Sequence, residues 1–272
     1  MNLSKWDARI RRAEELISSY PFASEGLSFY IRLAAVQKSL YEKIASASGS
    51  KLVARAPGAL RQEFDPFLLL PLFPAFLSQI GDFSPAPVSQ AACSLRSKDA
   101  AHWRQFLESF WQAGPDLLLG GEGPAQNLLA WMFLQPYAEY LADRTEREPI
   151  HATPSRCPLC SAKPLAGILR PEGDGAKRSL LCALCSTEWA FRRIVCPACG
   201  EEDVRKLAIY TAEEFPHVRV EACDTCRTYI KTVDLTKNGR AVPIVDELAT
   251  IPLNLWATEH SYTKLQVNLL GV

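Results

Sequence analysis

Eight of the nine cysteines in this chain lie in four C-x-x-C units within a window of seventy residues. Two of the units fall in the stretch CALCSTEWAFRRIVCPACG, which runs from Cys182 to Gly200. Cysteine thiolates bind zinc and iron, and two cysteines three positions apart can reach one ion from a single tight turn. The sequence therefore predicts metal sites built from Cys157, Cys160, Cys182, Cys185, Cys196, Cys199, Cys223 and Cys226.

The spacing of the four units indicates a tandem repeat. The first and second units are separated by 21 residues, the third and fourth by 23, and the second and third by only ten. This long-short-long rhythm favours one site made by the first two units and another made by the last two. An interleaved arrangement, in which the first unit pairs with the third, stays geometrically open. Each grouping gives two metal ions, and four thiolates in a tetrahedron suit zinc and iron equally well.

Other chemistry finds less support in the sequence. A site closed by four cysteines has no open coordination position for hydrolysis. The common nucleotide-binding, hydrolase and metalloprotease motifs are absent, and the four histidines lack metal-ligand spacing. We therefore predict that the chain is not an enzyme. The ninth cysteine, Cys93, lies in a stretch rich in Ser, Ala and Pro, where we expect a loop and no metal ligand.

Charge and hydropathy indicate a cytoplasmic protein. Thirty basic and thirty acidic side chains cancel, so no overall field attracts nucleic acid or anionic lipid. The N-terminal stretch MNLSKWDARIRRAEEL is charged and lacks the apolar core of a secretion signal. The most apolar run, from Phe64 to Ile80, is short and carries three prolines, so we expect no membrane insertion. In the reducing cytoplasm, clustered cysteines more often hold metal than form disulfides.

The N-terminal half, residues 1–145, is predicted to form a helical domain. Apolar side chains recur every three or four residues from Leu27 to Ile44, and a further helix is expected from Pro124 to Asp143. The proline-rich run at residues 65–80 is typical of a buried helix with a broken start. Ser97 is placed to cap the helix that follows it.

A change of pattern follows the helical half. Residues 146–156 are charged, contain two prolines and are predicted to form a linker. Beyond them, short runs rich in Val, Ile and aromatic residues alternate with turn residues, as in β-hairpins. We expect a first four-cysteine module at residues 157–190, a second at 191–240, and a C-terminal segment at 241–272 that packs on both. The predicted fold class is α+β.

The segments CPLCSAKP, LLCALCSTEWAFRRIVCPACG, RVEACDTCRTYIKTVD and PIVDELATIPLNLWATE resemble the FdhE family of formate dehydrogenase accessory proteins. The helical half is also similar to that family, in FYIRLAAVQKSLYEKI, FDPFLLLPLFPAFL and LQPYAEYLA. The resemblance implies an all-helical N-terminal domain followed by two rubredoxin-like, or zinc-ribbon, metal modules. It also implies a cytoplasmic maturation factor that binds the catalytic subunit of formate dehydrogenase, with iron held by the cysteines. The sequence leaves open whether the chain forms a homodimer.

One residue departs from the family pattern, and one pair suggests a partner surface. Ser161 follows the second cysteine of the first unit, where the family usually has Gly at a turn that favours positive φ. From the resemblance alone, we expect the partner to contact the modules and the acidic pair Asp246 and Glu247.

Two alternative functions remain. The first is a nucleic-acid-binding zinc ribbon protein, but residues 157–240 hold thirteen Lys and Arg against eleven Asp and Glu, without the basic excess that phosphate binding requires. The second is rubredoxin-type electron transfer, with iron cycling between two oxidation states. The second alternative is compatible with a role in maturation.

Overall fold

The computed structural model describes residues 4–48, 58–119, 123–145 and 153–272. Most of the predicted linker, at residues 146–152, lies outside the described residues. The described helices of the N-terminal half are α1 (Lys5–Ser19), α2 (Ser24–Ala47), α3 (Pro66–Leu69), α4 (Phe73–Gly81), α5 (Ala86–Arg96), α6 (Ala100–Ala113) and α7 (Pro124–Asp143). These bounds confirm the helices predicted around residues 27–44, 65–80 and 124–143.

Short polar side chains define where several helices begin. Ser4 accepts a hydrogen bond from the backbone N–H of Asp7, which satisfies a free donor in the first turn of α1. Asp99 does the same for α6 by accepting from His102. The prediction that Ser97 caps this helix was wrong, because α6 starts at Ala100 and Ser97 instead ends α5.

Cys93 lies on α5 and is exposed, so the prediction of a loop there was also wrong. The helix forms because Val88, Ala91, Ala92 and Leu95 are spaced three or four positions apart and are all buried. These side chains are mostly small, and the apolar stripe is therefore easy to overlook among the surrounding serines and prolines.

Helix α7 is the centre of the helical domain. Every residue from Asn127 to Ala142 is buried, and the helix contacts α2, α4, α5 and α6. The Phe133 ring lies 4.8 Å from the ring of Phe73 and 5.1 Å from that of Phe76, measured between centroids. A helix that is buried on all sides needs neighbours on all sides, and α7 therefore organises the bundle.

The C-terminal half forms one mixed sheet to which each cysteine repeat contributes three strands. The strands are β1 (Pro164–Glu172), β2 (Gly175–Cys182), β3 (Glu188–Ala190), β4 (Leu207–Thr211), β5 (Val218–Cys223), β6 (Thr228–Asp234) and β7 (Thr263–Lys264). Their order is β3-β2-β1-β6-β5-β4, with β7 beside β6. Neighbours within a repeat are antiparallel, whereas β1 and β6 are parallel and join the repeats.

Two further helices, α8 (Pro243–Ala249) and α9 (Ile251–Glu259), follow the sheet. Helix α8 contacts β1 and β6 on one side and α1 and α2 on the other, so it lies between the sheet and the bundle. The α+β fold class is confirmed, with helices first and a sheet carrying both four-cysteine groups after them. Among the described residues, no helix has the length and apolarity needed to cross a membrane.

Candidate metal centres

The first four-cysteine group comprises Cys157, Cys160, Cys182 and Cys185, all buried. Their Sγ atoms lie within 4.8 Å of one another. The Sγ–Sγ distance is 3.5 Å between Cys157 and Cys185, and 3.3 Å between Cys160 and Cys182. These distances far exceed the roughly 2.05 Å of a disulfide bond. They approach the separation of about 3.8 Å that four Zn–S bonds of about 2.3 Å impose in a tetrahedron.

The second group comprises Cys196, Cys199, Cys223 and Cys226. The Sγ–Sγ distances from Cys196 to Cys226 and from Cys199 to Cys223 are both 3.7 Å, which matches a tetrathiolate site. In contrast to the first group, Cys199 is exposed and Cys226 is only partly buried. The structure thus brings units one and two together and units three and four together, without interleaving.

Both groups are built in the same way. In each repeat, one C-x-x-C unit precedes an antiparallel hairpin and the other closes the second strand of that hairpin. In the first repeat the hairpin is β1 and β2, and in the second it is β4 and β5. Hairpin pairing therefore brings the sequence-distant cysteines of each repeat to one end of the sheet.

The residue after the second cysteine has positive φ in all four units. The φ angle is 59° at Ser161, 53° at Ser186, 79° at Gly200 and 55° at Arg227. A residue with a side chain pays a free-energy cost for left-handed backbone that Gly does not pay. The positive φ at Ser161 is therefore unfavourable, at the position where the family usually has Gly. Three of the four units therefore carry this strain, and Gly200 alone of the four avoids it.

Backbone N–H groups point at the cysteine sulfurs. The N–H groups of Leu184 and Cys185 lie 3.3 and 3.4 Å from Cys182 Sγ, and that of Ala198 lies 3.4 Å from Cys196 Sγ. Such donors stabilise negative charge on sulfur, and they fit thiolates bound to a cation.

The first unit is docked on the helical half through a turn at residues 58–61. The N–H of Gly58 donates to the carbonyl of Pro158 at 3.0 Å, and the N–H of Leu60 donates to that of Leu159 at 3.3 Å. The Arg61 guanidinium donates to the carbonyl of Cys160 at 2.7 Å.

The second unit is docked on α7. The Trp131 indole N–H donates to the carbonyl of Ala183 at 3.2 Å. The hydroxyl of Ser186 donates to buried Glu139 at 2.8 Å, and Arg9 of α1 donates to the same hydroxyl at 3.2 Å. Both turns of the first group therefore rest on the helical half, which explains why its cysteines are buried.

The second group is supported by the C-terminal segment instead. Arg227 donates to the carbonyl of His260 at 2.6 Å, and the N–H of Thr263 donates to the carbonyl of Arg227 at 2.7 Å. The Tyr262 hydroxyl donates to Asp224 at 2.6 Å. This support reaches the fourth unit and leaves Cys199 open to solvent.

Burial shifts the acidity of the first group's thiols. Burial and the neighbouring thiols raise the pKa of Cys157 and Cys182 well above the ordinary value. At Cys160, burial opposes ionisation, but hydrogen bonds from the other thiols and the charge of Arg61 outweigh it and lower the pKa. Metal binding to this group would therefore release the protons of Cys157 and Cys182.

Asp246 and Glu247 lie inside the protein, so the expectation that they contact a partner was wrong. Asp246 is paired with Arg12 of α1 at 2.6 Å and with His217 at 2.7 Å. Glu247 is fully buried, with its carboxylate 3.0 Å from Lys231 Nζ and also in contact with Lys264. Burying a carboxylate without a counter-charge is too unfavourable, and Arg12, Lys231 and Lys264 supply that charge. In the sequence, the available signal for a buried counter-charge was Lys231, which follows Ile230 inside the strand-like run TYIKTVD.

Comparison with known proteins places these features in a family. The model described as "FdhE, central domain" matches residues 156–193, and the model described as "FdhE, C-terminal domain" matches residues 194–270. The chain is 26% identical over 285 aligned residues to a protein named "Protein FdhE homolog" from Aquifex aeolicus, covering 100% of this chain and 98% of that protein. It is 31% identical over 207 residues to the homolog from Stutzerimonas stutzeri, covering 74% of this chain and 65% of the relative.

The fold also matches a solved structure. The crystal structure of the FdhE protein from Pseudomonas aeruginosa superposes with a TM-score of 0.73 at 22% sequence identity, covering 99% of this chain and 97% of that one. The helical bundle and the cysteine-bearing sheet therefore belong to one shared architecture. Two adjacent domain models of one family match in order, and a relative of that family aligns over the whole chain, so this chain belongs to the FdhE family.

Proposed function

We propose that the chain is a non-enzymatic maturation factor that binds the catalytic subunit of formate dehydrogenase in the cytoplasm. The observation that carries this proposal is the full-length family relationship, combined with two tetra-cysteine groups whose geometry fits closed metal sites. A closed tetrathiolate site holds structure in place and offers no coordination position for a substrate. The protein then acts through the surface that its two repeats and helical bundle present.

The proposed cofactors are two metal ions, iron or zinc, one in each four-cysteine group. Cys157, Cys160, Cys182 and Cys185 would hold one ion, and Cys196, Cys199, Cys223 and Cys226 the other. Each ion ties together hairpin ends that bury too little apolar surface to stay folded alone. The N–H groups aimed at Cys182 and Cys196 support this assignment, because they complement thiolate charge.

The two sites have different structural roles in this proposal. The first, with both of its turns hydrogen-bonded to the helical half, fixes the first repeat to the helical bundle. The second lies at an exposed end of the sheet, where Cys199 meets solvent. If both ions are iron, this second site is the one that external redox partners can reach.

Binding to the proposed client can be tested with purified components. The tagged chain, isolated without oxygen, is mixed with the catalytic subunit of formate dehydrogenase from the same host, and the complex is measured by biolayer interferometry. Cys93→Ser is the matched control, because Cys93 is exposed on α5 and belongs to neither group. We expect the parent and the control to bind equally, and the metal-stripped chain to bind less.

The outcomes separate the proposal from its alternatives. Absence of binding by the metal-loaded chain would contradict the maturation role. Retention on immobilised DNA at moderate salt would favour the nucleic-acid alternative. A red protein that bleaches with dithionite would indicate rubredoxin-type iron, whereas a colourless protein with two zinc ions would exclude rubredoxin-type electron transfer.

A further inference from the structure

Arg61 lies between the first four-cysteine group and the end of α6. Its guanidinium donates from Nε to the carbonyl of Cys160 at 2.7 Å and from Nη1 to the carbonyl of Trp111. In return, the backbone carbonyl of Arg61 accepts from the Trp111 indole N–H at 2.9 Å. A methyl group at Gly114 would overlap Arg61 Nη2, so the glycine leaves room for the guanidinium. The charged group is therefore held in place from both sides.

The Arg61 guanidinium has no acidic partner within the ranges that the structure describes. It is partly buried, and the groups that accept its hydrogen bonds are neutral carbonyls. Two other cations near the first group do have acidic partners. Arg9 is paired with Glu139 at 2.9 Å. Arg156 is paired with Asp116 at 3.1 Å. A partly buried cation without an anion is unfavourable, so the charge of Arg61 requires another source of compensation.

We propose that Arg61 is a positioning residue for the first metal ion, and that its charge compensates the negative charge of the loaded four-cysteine group. A divalent ion bound by four thiolates leaves two net negative charges. The guanidinium is bonded to the turn that carries Cys157 and Cys160, where attraction between opposite charges is strong because water is largely excluded. This inference rests on the metal ions of the proposed function and does not depend on the client.

The same contacts also fix the backbone of the first unit. Three consecutive carbonyls, those of Pro158, Leu159 and Cys160, accept hydrogen bonds from the turn at residues 58–61. Ligands that are already in position bind a metal more tightly, because less conformational freedom is lost on binding. Arg61 therefore acts through both position and charge, and substitutions can separate the two.

The experiment uses zinc as the probe and full-length chains that keep one site each. Cys196→Ser keeps the first group intact, and its zinc affinity is measured without oxygen by competition with a chromogenic chelator. In this chain, Arg61→Gln keeps a hydrogen-bond donor and removes the charge, and we expect the zinc affinity to fall by about tenfold or more. Arg61→Lys keeps the charge and should lose clearly less. The pair thus separates charge from hydrogen bonding.

Two controls exclude a general effect on folding. Arg104→Gln removes a cation from the exposed face of α6, where Arg104 lies 3.8 Å from Glu108, and should leave the zinc affinity unchanged. Cys157→Ser keeps the second group intact, and adding Arg61→Gln to this chain should change its zinc affinity by less than about twofold, because distant sites act independently.

Stability with and without zinc distinguishes charge compensation from a purely structural bond. If Arg61 only joined two carbonyls, Arg61→Gln would lower the melting temperature of the zinc-free and the zinc-loaded chain equally. Charge compensation instead predicts a larger decrease with zinc, because the zinc-free chain lacks the anionic centre. Circular dichroism establishes that the helical half of each variant is folded.

The outcomes separate this inference from the proposed metal ions. Equal zinc affinity with and without Arg61→Gln in the Cys196→Ser chain would overturn it. Equal losses in Arg61→Gln and Arg61→Lys would overturn it too, as would a loss of the same size in the Cys157→Ser chain. A Cys196→Ser chain that binds neither zinc nor iron would contradict the first metal site itself, and the role of Arg61 would fall with it.

Discussion

Gly167 of β1 lies opposite Thr232 of β6 at the point where the two cysteine repeats join. A Cβ atom added to Gly167 would lie 2.2 Å from Thr232 Oγ1 and 3.2 Å from Thr232 Cβ. The parallel pairing of the repeats therefore depends on the absence of a side chain at this position. Gly167 allows β1 and β6 to approach each other closely, and its φ is not in the left-handed region.

Gly167→Ala should lower the free energy of unfolding by about 1–3 kcal/mol, because the new methyl group overlaps Thr232. The measurement is urea denaturation followed by circular dichroism. Thr232→Ala should recover much of the loss in the double variant, since it removes the closest atom. The Thr232 hydroxyl has no hydrogen-bond partner among the described residues, so its removal leaves no new unsatisfied group. Equal losses with and without Thr232→Ala would contradict this account.

Exchanging residues at equivalent turn positions should change stability in opposite directions. Ser161→Gly relieves a left-handed backbone conformation and should stabilise the chain by up to about 1 kcal/mol. Gly200→Ala should destabilise it by a similar amount, although nothing lies within 4 Å of the added Cβ. Thermal unfolding of the metal-loaded variants gives both values. A stabilising Gly200→Ala would show that φ at these turns does not limit stability.

Removing one ligand from each group should have unequal effects. Cys196→Ser should lose one metal ion and loosen residues 196–240 while sparing the helical half. Cys157→Ser should lose the other ion and also expose amides at residues 58–61 and in α7, because both turns of the first group rest there. Metal analysis combined with hydrogen-exchange mass spectrometry measures both effects. Cys93→Ser is the control and should retain two ions. Two ions in Cys196→Ser would show that the ligand grouping is wrong.

Chelators should remove the two ions at different rates. The second group has an exposed Cys199 and the first is fully buried, so a chelator in solution reaches the second ion first. Release to a chromogenic chelator should be biphasic in the parent, and Cys196→Ser should lack the fast phase. Release of both ions in a single phase would contradict the assignment of the faster release to the second group. A fast phase that persists in Cys196→Ser would also contradict it.

Glu247→Gln should destabilise the fold by about 3–5 kcal/mol near neutral pH, because it leaves Lys231 and Lys264 without their buried counter-charge. Lys231→Met should offset part of this loss in the double variant. Urea denaturation measures both changes, and a neutral effect of Glu247→Gln would show that the carboxylate is not the main counter-charge.

The lowered pKa of the Glu247 carboxylate predicts that the stability of the fold depends on pH. Burial alone would raise the pKa of Glu247, but Lys231 and Lys264 outweigh it and lower the pKa from 4.5 to about 2. A carboxylate with a lowered folded-state pKa contributes stability above its unfolded pKa and loses it on acidification. The parent should therefore lose stability as the pH falls from 4.5 toward 2, and Glu247→Gln should lose less over that interval. If the free energy of unfolding fell equally with pH in the parent and in Glu247→Gln, ionised Glu247 would not contribute to the pH dependence.

The sequence alone favoured the cysteine grouping that the structure has, without excluding the interleaved one, and it predicted the main helices. Both depend on local spacing: C-x-x-C places two sulfurs on one turn, hairpin length brings two turns together, and apolar periodicity marks a buried helix face. The positive φ at Ser161 was expected from the family resemblance, because the family usually has Gly at this position.

Only the tertiary structure decided which cysteine group is buried and which is exposed. It likewise decided that Asp246 and Glu247 face cations inside the protein and that Gly167 meets Thr232 where the repeats join. These features depend on contacts between residues far apart in the chain, such as Arg61 with Cys160 and Glu139 with Ser186. Spacing along a chain determines local geometry, but burial is set by which surfaces pack together, and the two cysteine groups therefore look alike in sequence and differ in the fold.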